Sequence, residues 1–425
     1  MLLYMVRNIC IITLLFIATL LWAQAGVYPL DAAYTRPWEL ADRLQEITEL
    51  KPDIAHLDTL GYTGTRRLPI VALRVSDNAD RDEPDEPAIL FCGPHQGEEV
   101  LGLEIVLHNA RALVQAYGED EELTRLVNAS EVWFVPVVCA EGWQWVAGGY
   151  YFLKRKNDTD SDYDGIFALR TDGVDLNKNY PTAWEQDENT NPASDYYKGP
   201  APASEPEVQA MMGFLERERP AMAVFYHSSA TGAYSENIFF PWRWEDGVTP
   251  EWRAMHAQAQ QLAAVLPRDY APGNYTVHTG YSFPRGYARN WAYSAHRTHA
   301  FTIEVGGNLP TPEGEGPGVI HPPAAQLRTI LAKHWDACCV ALRMLHRRLV
   351  CIRITDPRGE PLPGVAVHLP GWDDNPHLLP QRTGEDGRLW RYLPPGRWPV
   401  LIDHQLWWLD ATRPEVRFRI VPRQP

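Results

Sequence analysis

The stretch FCGPHQGEEVLGLE, residues 91–104, runs from an apolar segment into His95, Glu98 and Glu99 just before a helical pattern. A histidine and a carboxylate three residues apart at a strand end can ligate a metal. They can equally be polar residues that open a helix, and an isolated HxxE is common by chance. Three further segments carry compatible groups. FYHSS puts His227 at the end of an apolar run, GVDLNKNYP puts Asp175, Asn177 and Lys178 in a loop, and HAFTIEVGG carries Glu304 near another strand end. Two histidines and a glutamate suit a catalytic zinc that keeps one position for water. Zinc lowers the pKa of that water, and a nearby carboxylate can take its proton.

Such groups converge only if strand ends bring them together. Apolar spacing predicts a helix over residues 38–50, and Leu68–Val75, Ala88–Cys92 and Glu131–Val138 read as strands, the last with a proline that hints at a bulge or edge. A long helix is predicted over residues 98–117. Residues 142–203 read mostly as loop, and a loop region of that length inside a compact domain is usually functional. Ser204-Glu205-Pro206-Glu207 reads as a capping box opening a helix to about Arg219. Ala221–Tyr226 and Ala300–Val305 are short apolar strands, and Pro322–His346 is one long helix. Strands alternating with helices predict an α/β fold with a mixed central sheet flanked by helices. Open sheets of that kind collect ligands at strand ends. From about Val350 the pattern turns to short β-type runs split by turn signals such as Pro363-Gly364 and Pro394–Gly396, which predicts a small C-terminal β-sandwich.

The 425 residues carry a net charge of −15, which argues against nucleic-acid binding or general attraction to anionic membranes. The first 25 residues have Arg7 as their one charge, an apolar run over 9–22, and Ala23-Gln24-Ala25 as an A-x-A site. They read as a secretory signal peptide, which implies a secreted or periplasmic protein with no stable membrane insertion after cleavage. The five cysteines that remain are scattered, and their odd number is no disulfide framework.

His95-x-x-Glu98, KRKN at 154–157, GVDLNKNYP, SEPE at 204–207, His227 and FTIE ending at Glu304 resemble, in order and spacing, the zinc metallocarboxypeptidases of the A/B and E/D-like type. The tail resembles the transthyretin-like domain of the E/D-like branch. The resemblance implies a catalytic domain over 26–347 and a β-domain over 348–425. It implies one Zn2+ held by His95, Glu98 and His227, with Glu304 as the general base that activates water. It also implies Asp175 behind His95, Arg155 as oxyanion stabiliser, and Asn177 and Lys178 on the terminal carboxylate of a peptide or protein substrate.

Three positions depart from the family pattern or extend it. Lys178 stands where the family has arginine, so a point charge replaces a planar fork. Counting back from Glu304 reaches Ser282, which makes Tyr281 the candidate loop tyrosine, with Tyr287 its competitor. The same count puts Arg289 in the specificity pocket, where it would favour acidic terminal side chains. Acidic groups near the scissile bond would also suit cell-wall stem peptides, and an inactive relative that binds peptide or glycan is a further alternative. Asp160, Asp162 and Asp164, followed by Gly165, begin like a Ca2+ loop but meet Thr171 where a glutamate belongs.

Overall fold

The computed structural model describes residues 30–229, 234–244, 247–269, 271–278, 285–306 and 320–421, with the side chains of 243–248 excepted. The expected signal peptide and Tyr281 lie outside the described residues.

Helix α1 (Leu40–Leu50) buries Leu44 and Ile47 as its period requires, while Trp38, expected to join it, lies before it and is exposed. Strand β1 (Ala55–Tyr62) is not expected from the sequence, because AHLDTLGY has no clean alternation; it sits at the sheet edge, paired with β2 (Pro69–Val75). Strand β3 (Ala88–Cys92) follows, entirely buried, as a central strand's continuous apolar run predicts. Helix α2 (Val100–Ala116), the short α3 (Glu121–Val127) and strand β4 (Glu131–Val135) come next. β4 ends just before Pro136, so the proline closes the strand rather than bulging it.

The region expected to be loop contains helix α4 (Ala140–Ala147) and two short 3-10 turns. Helix α5 (Pro206–Glu218) has proline in its first turn as predicted, but Glu205 is its N-cap and no side chain caps it. Ser204 Oγ instead donates to Glu205 Oε1 and accepts from Asn179 Nδ2. The capping box is therefore replaced by a tie to the GVDLNKNYP loop. The chain continues through β5 (Met222–His227), β6 (Asn237–Phe239), β7 (Arg243–Trp244), β8 (Gly247–Val248), α6 (Trp252–Ala264), β9 (Thr276–Val277), α7 (Ala288–His296), β10 (His299–Glu304) and α8 (Ala324–Leu345).

The main sheet has the order β1-β2-β4-β3-β5-β10-β6-β9. Its centre, β4-β3-β5-β10, is parallel, whereas β2 and β6 join antiparallel. One face packs on α1, α2, α6 and α8, and the other on α5 and α7. β4 lies on one side of β3 and β5 on the other, so the strand order reverses there, where open sheets form their ligand crevice. His95 follows β3, His227 ends β5 and Glu304 ends β10. The register sets Glu304 directly beside His227.

After α8, strands β11 (Leu349–Thr355), β12 (Ala366–His368), β13 (Gln381–Arg382), β14 (Arg388–Tyr392), β15 (Arg397–Ile402), β16 (Gln405–Asp410) and β17 (Glu415–Arg419) form two small sheets, β14-β11-β17 and β13-β12-β15-β16. They share a separate core that includes Ile352, Val367, Leu389, Val400 and Leu409. No helix among the described residues is long and apolar enough to cross a membrane.

Candidate metal centre

Gly97 lets the HQGEE turn close. Its amide donates to the Arg155 carbonyl, and a Cβ there would stand 2.3 Å from Gly142 and 2.6 Å from the Lys154 carbonyl oxygen. The turn therefore lies tightly against the KRKN segment, with His95, Glu98 and Glu99 all buried. That segment is no solvated basic run. Lys154 donates to the Asp172 carbonyl at 2.8 Å, and Lys156 donates to the carbonyls of Thr171 and Pro192. Both lysines are 2 % exposed and stitch the long loop from inside.

Arg155 between them turns toward the strand ends. Its Nε lies 2.8 Å from Asp175 Oδ2, and its Nη1 lies 3.1 Å from Glu98 Oε1 and 3.5 Å from Glu99 Oε1. Burial opposes its charge, but the three carboxylates hold its pKa well above the usual value. Asp175 also accepts from Gln96 Nε2 at 2.8 Å and from the Asn177 amide. The expected contact of Asp175 with His95 is not among the hydrogen bonds of the described residues. Tyr180 Oη lies 2.9 Å from His95 Nε2, while the oxygens of Asp175 are spent on Arg155, Gln96 and Asn177.

His227 lies between two partners, with Nδ1 2.8 Å from Glu99 Oε2 and Nε2 3.4 Å from Asn177 Nδ2. The rings of His95 and His227 are stacked with centroids 6.0 Å apart. Burial lowers the pKa of both imidazoles, His227 to about 4, so each keeps a lone pair for a metal at neutral pH. Burial raises Glu98 and Glu99 to about 8, against the pull of Arg155.

Glu98, Asn177, Lys178, His227, Arg289 and Glu304 line one cavity of about 570 Å³, together with Tyr287 and Tyr196. Burial pushes the Glu304 carboxyl up to about 7, with His227 opposing the shift. Lys178 Nζ reaches Asp187 Oδ2 at 3.0 Å and Tyr287 Oη at 3.1 Å. Arg289 is buried, with Nη1 3.2 Å from Thr302 Oγ1 and its guanidinium over the rings of Tyr287 and Phe239. The cavity thus joins two of the three expected ligands, Glu98 and His227, with the expected base and three expected substrate-binding residues; His95 lies behind its wall, and Tyr287 also lines it.

The donor set fits a zinc ion in kind: two imidazoles and a carboxylate. Glu98 Oε2 is buried and lacks a hydrogen-bond partner, as does His95 Nδ1, although the Gly93 carbonyl is near enough to favour a proton on that ring. The three donors do not converge as closely as three acidic clusters do elsewhere, Glu98 being held by Arg155. One of those clusters is Asp160, Asp162 and Asp164. Their carboxylates accept from the amides of Tyr163, Asp164, Gly165 and Ile166, while Asp172 binds Ser161 and the Ala168 amide. These bonds order the turn.

Residues 40–337 match the family model described as zinc carboxypeptidase. The chain belongs to the zinc carboxypeptidase family. Carboxypeptidase A6 of Homo sapiens is 24% identical over 223 residues, covering 50% of this chain and 47% of that protein. Carboxypeptidase A2 of Mus musculus is 26% identical over 282 residues, covering 64% of this chain and 62% of that protein. The chain therefore spans about half to three-fifths of the length of these relatives. Among solved structures, carboxypeptidase A from Helicoverpa armigera superposes with a TM-score of 0.61 at 22% identity, covering 78% of this chain and 80% of that one. Thrombin-activatable fibrinolysis inhibitor also gives 0.61, at 20% identity, covering 73% and 74%. At such identities the likeness shows the fold, a mixed sheet between helices.

Sequence reasoning missed several partners in this carboxypeptidase-family site. Tyr180 lies inside the GVDLNKNYP motif, so its contact with His95 had a visible carrier. Thr302 likewise lies inside FTIE, whereas Asp187, nine residues after Lys178, stands outside every quoted motif and had no such carrier. His321 Nε2 also lies 2.7 Å from the Glu98 carbonyl oxygen, across 223 residues of sequence.

Proposed function

We propose that this chain is an exported zinc carboxypeptidase that hydrolyses the last bond of a peptide and prefers acidic terminal residues. The observation that carries the reading is the shared cavity of Glu98, His227, Glu304, Asn177, Lys178 and Arg289. His95, Glu98 and His227 would hold the metal; when bound, zinc lowers the pKa of a water and polarises the scissile carbonyl. Glu304 accepts the proton of the attacking water and returns it to the leaving amine, a role suited to a carboxyl raised toward neutrality. Arg155 presents a fixed positive charge to the oxygen on which negative charge develops. Asn177 and Lys178 receive the terminal carboxylate, with Tyr287 beside them, and Arg289 receives an acidic side chain. The two small sheets are proposed to be a transthyretin-like domain, and residues 1–25 an export signal.

A panel of peptides with one body and varied last residues, as free acids and as C-terminal amides, tests this by mass spectrometry. Loss of one residue from free acids only, fastest with Glu or Asp last, abolished by a chelator and restored by zinc, is the expected result. No cleavage of any member would overturn the simple-peptide reading. The same zinc chemistry would then be tried on cell-wall stem peptides.

A further inference from the structure

His278 lines the cavity of the candidate site, yet no motif in the sequence points to it. Its place follows from the sheet edge. β9 runs parallel to β6 with Val277 beside Ile238, and the His278 amide donates to the Ile238 carbonyl at 2.9 Å. The pairing thus carries one residue past β9 and sets the His278 ring against Phe239, with centroids 4.6 Å apart and 31° between the planes. The Arg289 guanidinium lies over the same Phe239 ring, 5.6 Å from its centroid. One aromatic side chain therefore seats two nitrogen-bearing groups of the cavity. The other titratable groups that line it from neighbouring elements are Arg285 and Tyr287 before α7, Tyr234 before β6, and Glu304 on β10. Burial and the Arg289 charge both lower the His278 pKa below the ordinary 6.5, so without substrate the ring is neutral at neutral pH. A carboxylate brought beside it opposes both effects, because a nearby opposite charge favours the imidazolium.

We infer that His278 is a second specificity residue of this pocket: with Arg289 it takes the side-chain carboxylate of an acidic terminal residue, and it makes the preference for that residue grow as the pH falls. The inference rests on the acidic-peptide reading above and adds to it a group that can gain charge where Arg289 is always charged. A neutral imidazole offers the carboxylate one N–H, whereas an imidazolium offers a charge-assisted bond of about twice the strength. Glutamate and glutamine side chains share one shape, so a comparison of the two isolates the charge.

Two peptides that differ only in ending with Glu or Gln test it, with kcat/KM measured from about pH 8 down to about pH 5. Dividing one value by the other at each pH cancels the common loss of the Glu304 base. An ionised Glu304 also repels an acidic side chain, so its protonation adds a rise of its own, which variants at His278 keep. In wild type the Glu/Gln ratio should rise roughly 10-fold more than in His278→Gln, whose amide donates but cannot charge. His278→Phe should also give a lower ratio at the alkaline end. Proton NMR of the His278 ring in wild type supplies a second readout that needs no variant to fold: free glutamate should raise its pKa, and glutamine should not. An equal rise in wild type and both variants, or a His278 pKa that glutamate leaves in place, would overturn the inference and leave Arg289 as the acid-binding group. A ratio near one at every pH would overturn it together with the acidic reading. If neither peptide is cleaved, the carboxypeptidase reading fails, and the glutamate-dependent pKa alone decides for or against His278.

Discussion

Lys178 Nζ lies 3.0 Å from Asp187 Oδ2, so the ammonium proposed to receive a terminal carboxylate already has an anion beside it. Burial works against the Lys178 charge, but Tyr287 and Asp187 outweigh it and hold its pKa above the usual value. An ammonium has three donors. Asp187 and Tyr287 take two, which leaves one directed contact for substrate. Replacing Lys178 by Met should therefore raise KM for free-acid peptides by roughly 10–100-fold, the worth of one charged hydrogen bond, with kcat within a few-fold. Steady-state kinetics would check this, and an unchanged KM would remove Lys178 from substrate recognition.

Arg289 faces the same cavity from the first turn of α7, held by Thr302 and flanked by the faces of Tyr287 and Phe239. A buried cation so placed should bind a carboxylate and reject an ammonium. Arg289→Asp should lower kcat/KM for Glu- or Asp-terminated peptides by about 100-fold and improve Lys- and Arg-terminated ones. Competition between the two peptide classes in one digest would read the ratio directly. A terminal-residue preference that does not move would sink the acidic-pocket reading.

Much of this arrangement was legible in the sequence, for a physical reason. Strand ends are marked by where apolar runs stop, so the residue pattern alone places His227 and Glu304 at strand ends, and the β5–β10 register sets them side by side. Edge strand β1 was not legible, because a half-exposed strand does not need clean alternation. Nor was the fate of the KRKN lysines: three cations in four residues look solvated, and only backbone carbonyls from distant loop segments make their burial tolerable. Asp175 was expected on His95, but the fold brings Arg155 and Gln96 to it instead. Partner choice inside a polar cluster depends on ångström-scale placement that spacing does not carry.

Glu304 gives the pH dependence. Burial raises its carboxyl from the ordinary 4.5 to about 7, and a divalent cation in the site would oppose that shift. The base works only when ionised, so kcat/KM should fall as pH drops, with its acid limb between those two values. Glu304→Gln should cost roughly 10²–10⁴-fold in kcat, the range for a positioned base, while zinc affinity of the metal-free protein changes little. Activity that stays flat as the pH is lowered to 4.5 would take the base role from Glu304.

The two small C-terminal sheets are joined to the body of the main sheet through buried charge. Arg391 Nη2 lies 2.8 Å from Glu251 Oε1 and its Nη1 lies 3.1 Å from Asp373 Oδ2, while Asp373 Oδ1 pairs with Arg297 Nε at 3.1 Å. Tyr293 donates to Glu251, and Ser294 donates to the His377 carbonyl, so the network also grips α7. Removing one partner leaves a buried charge uncompensated, which costs about 3–5 kcal/mol. Arg391→Met should thus lower Tm by several degrees and split a single calorimetric transition in two, as the body and the small sheets come apart. Burial alone would raise Asp373, but Arg391 and Arg297 hold it at about 2, below its usual 3.8. A carboxylate lowered on folding stabilises above its unfolded pKa, and that stability is lost as pH falls through the folded one. Roughly 2 kcal/mol should accordingly disappear between pH 4 and 2 in wild type and be absent from Asp373→Asn. Denaturant melts of the two proteins across that range would measure the difference, and parallel curves would show that the network does not hold the two parts together.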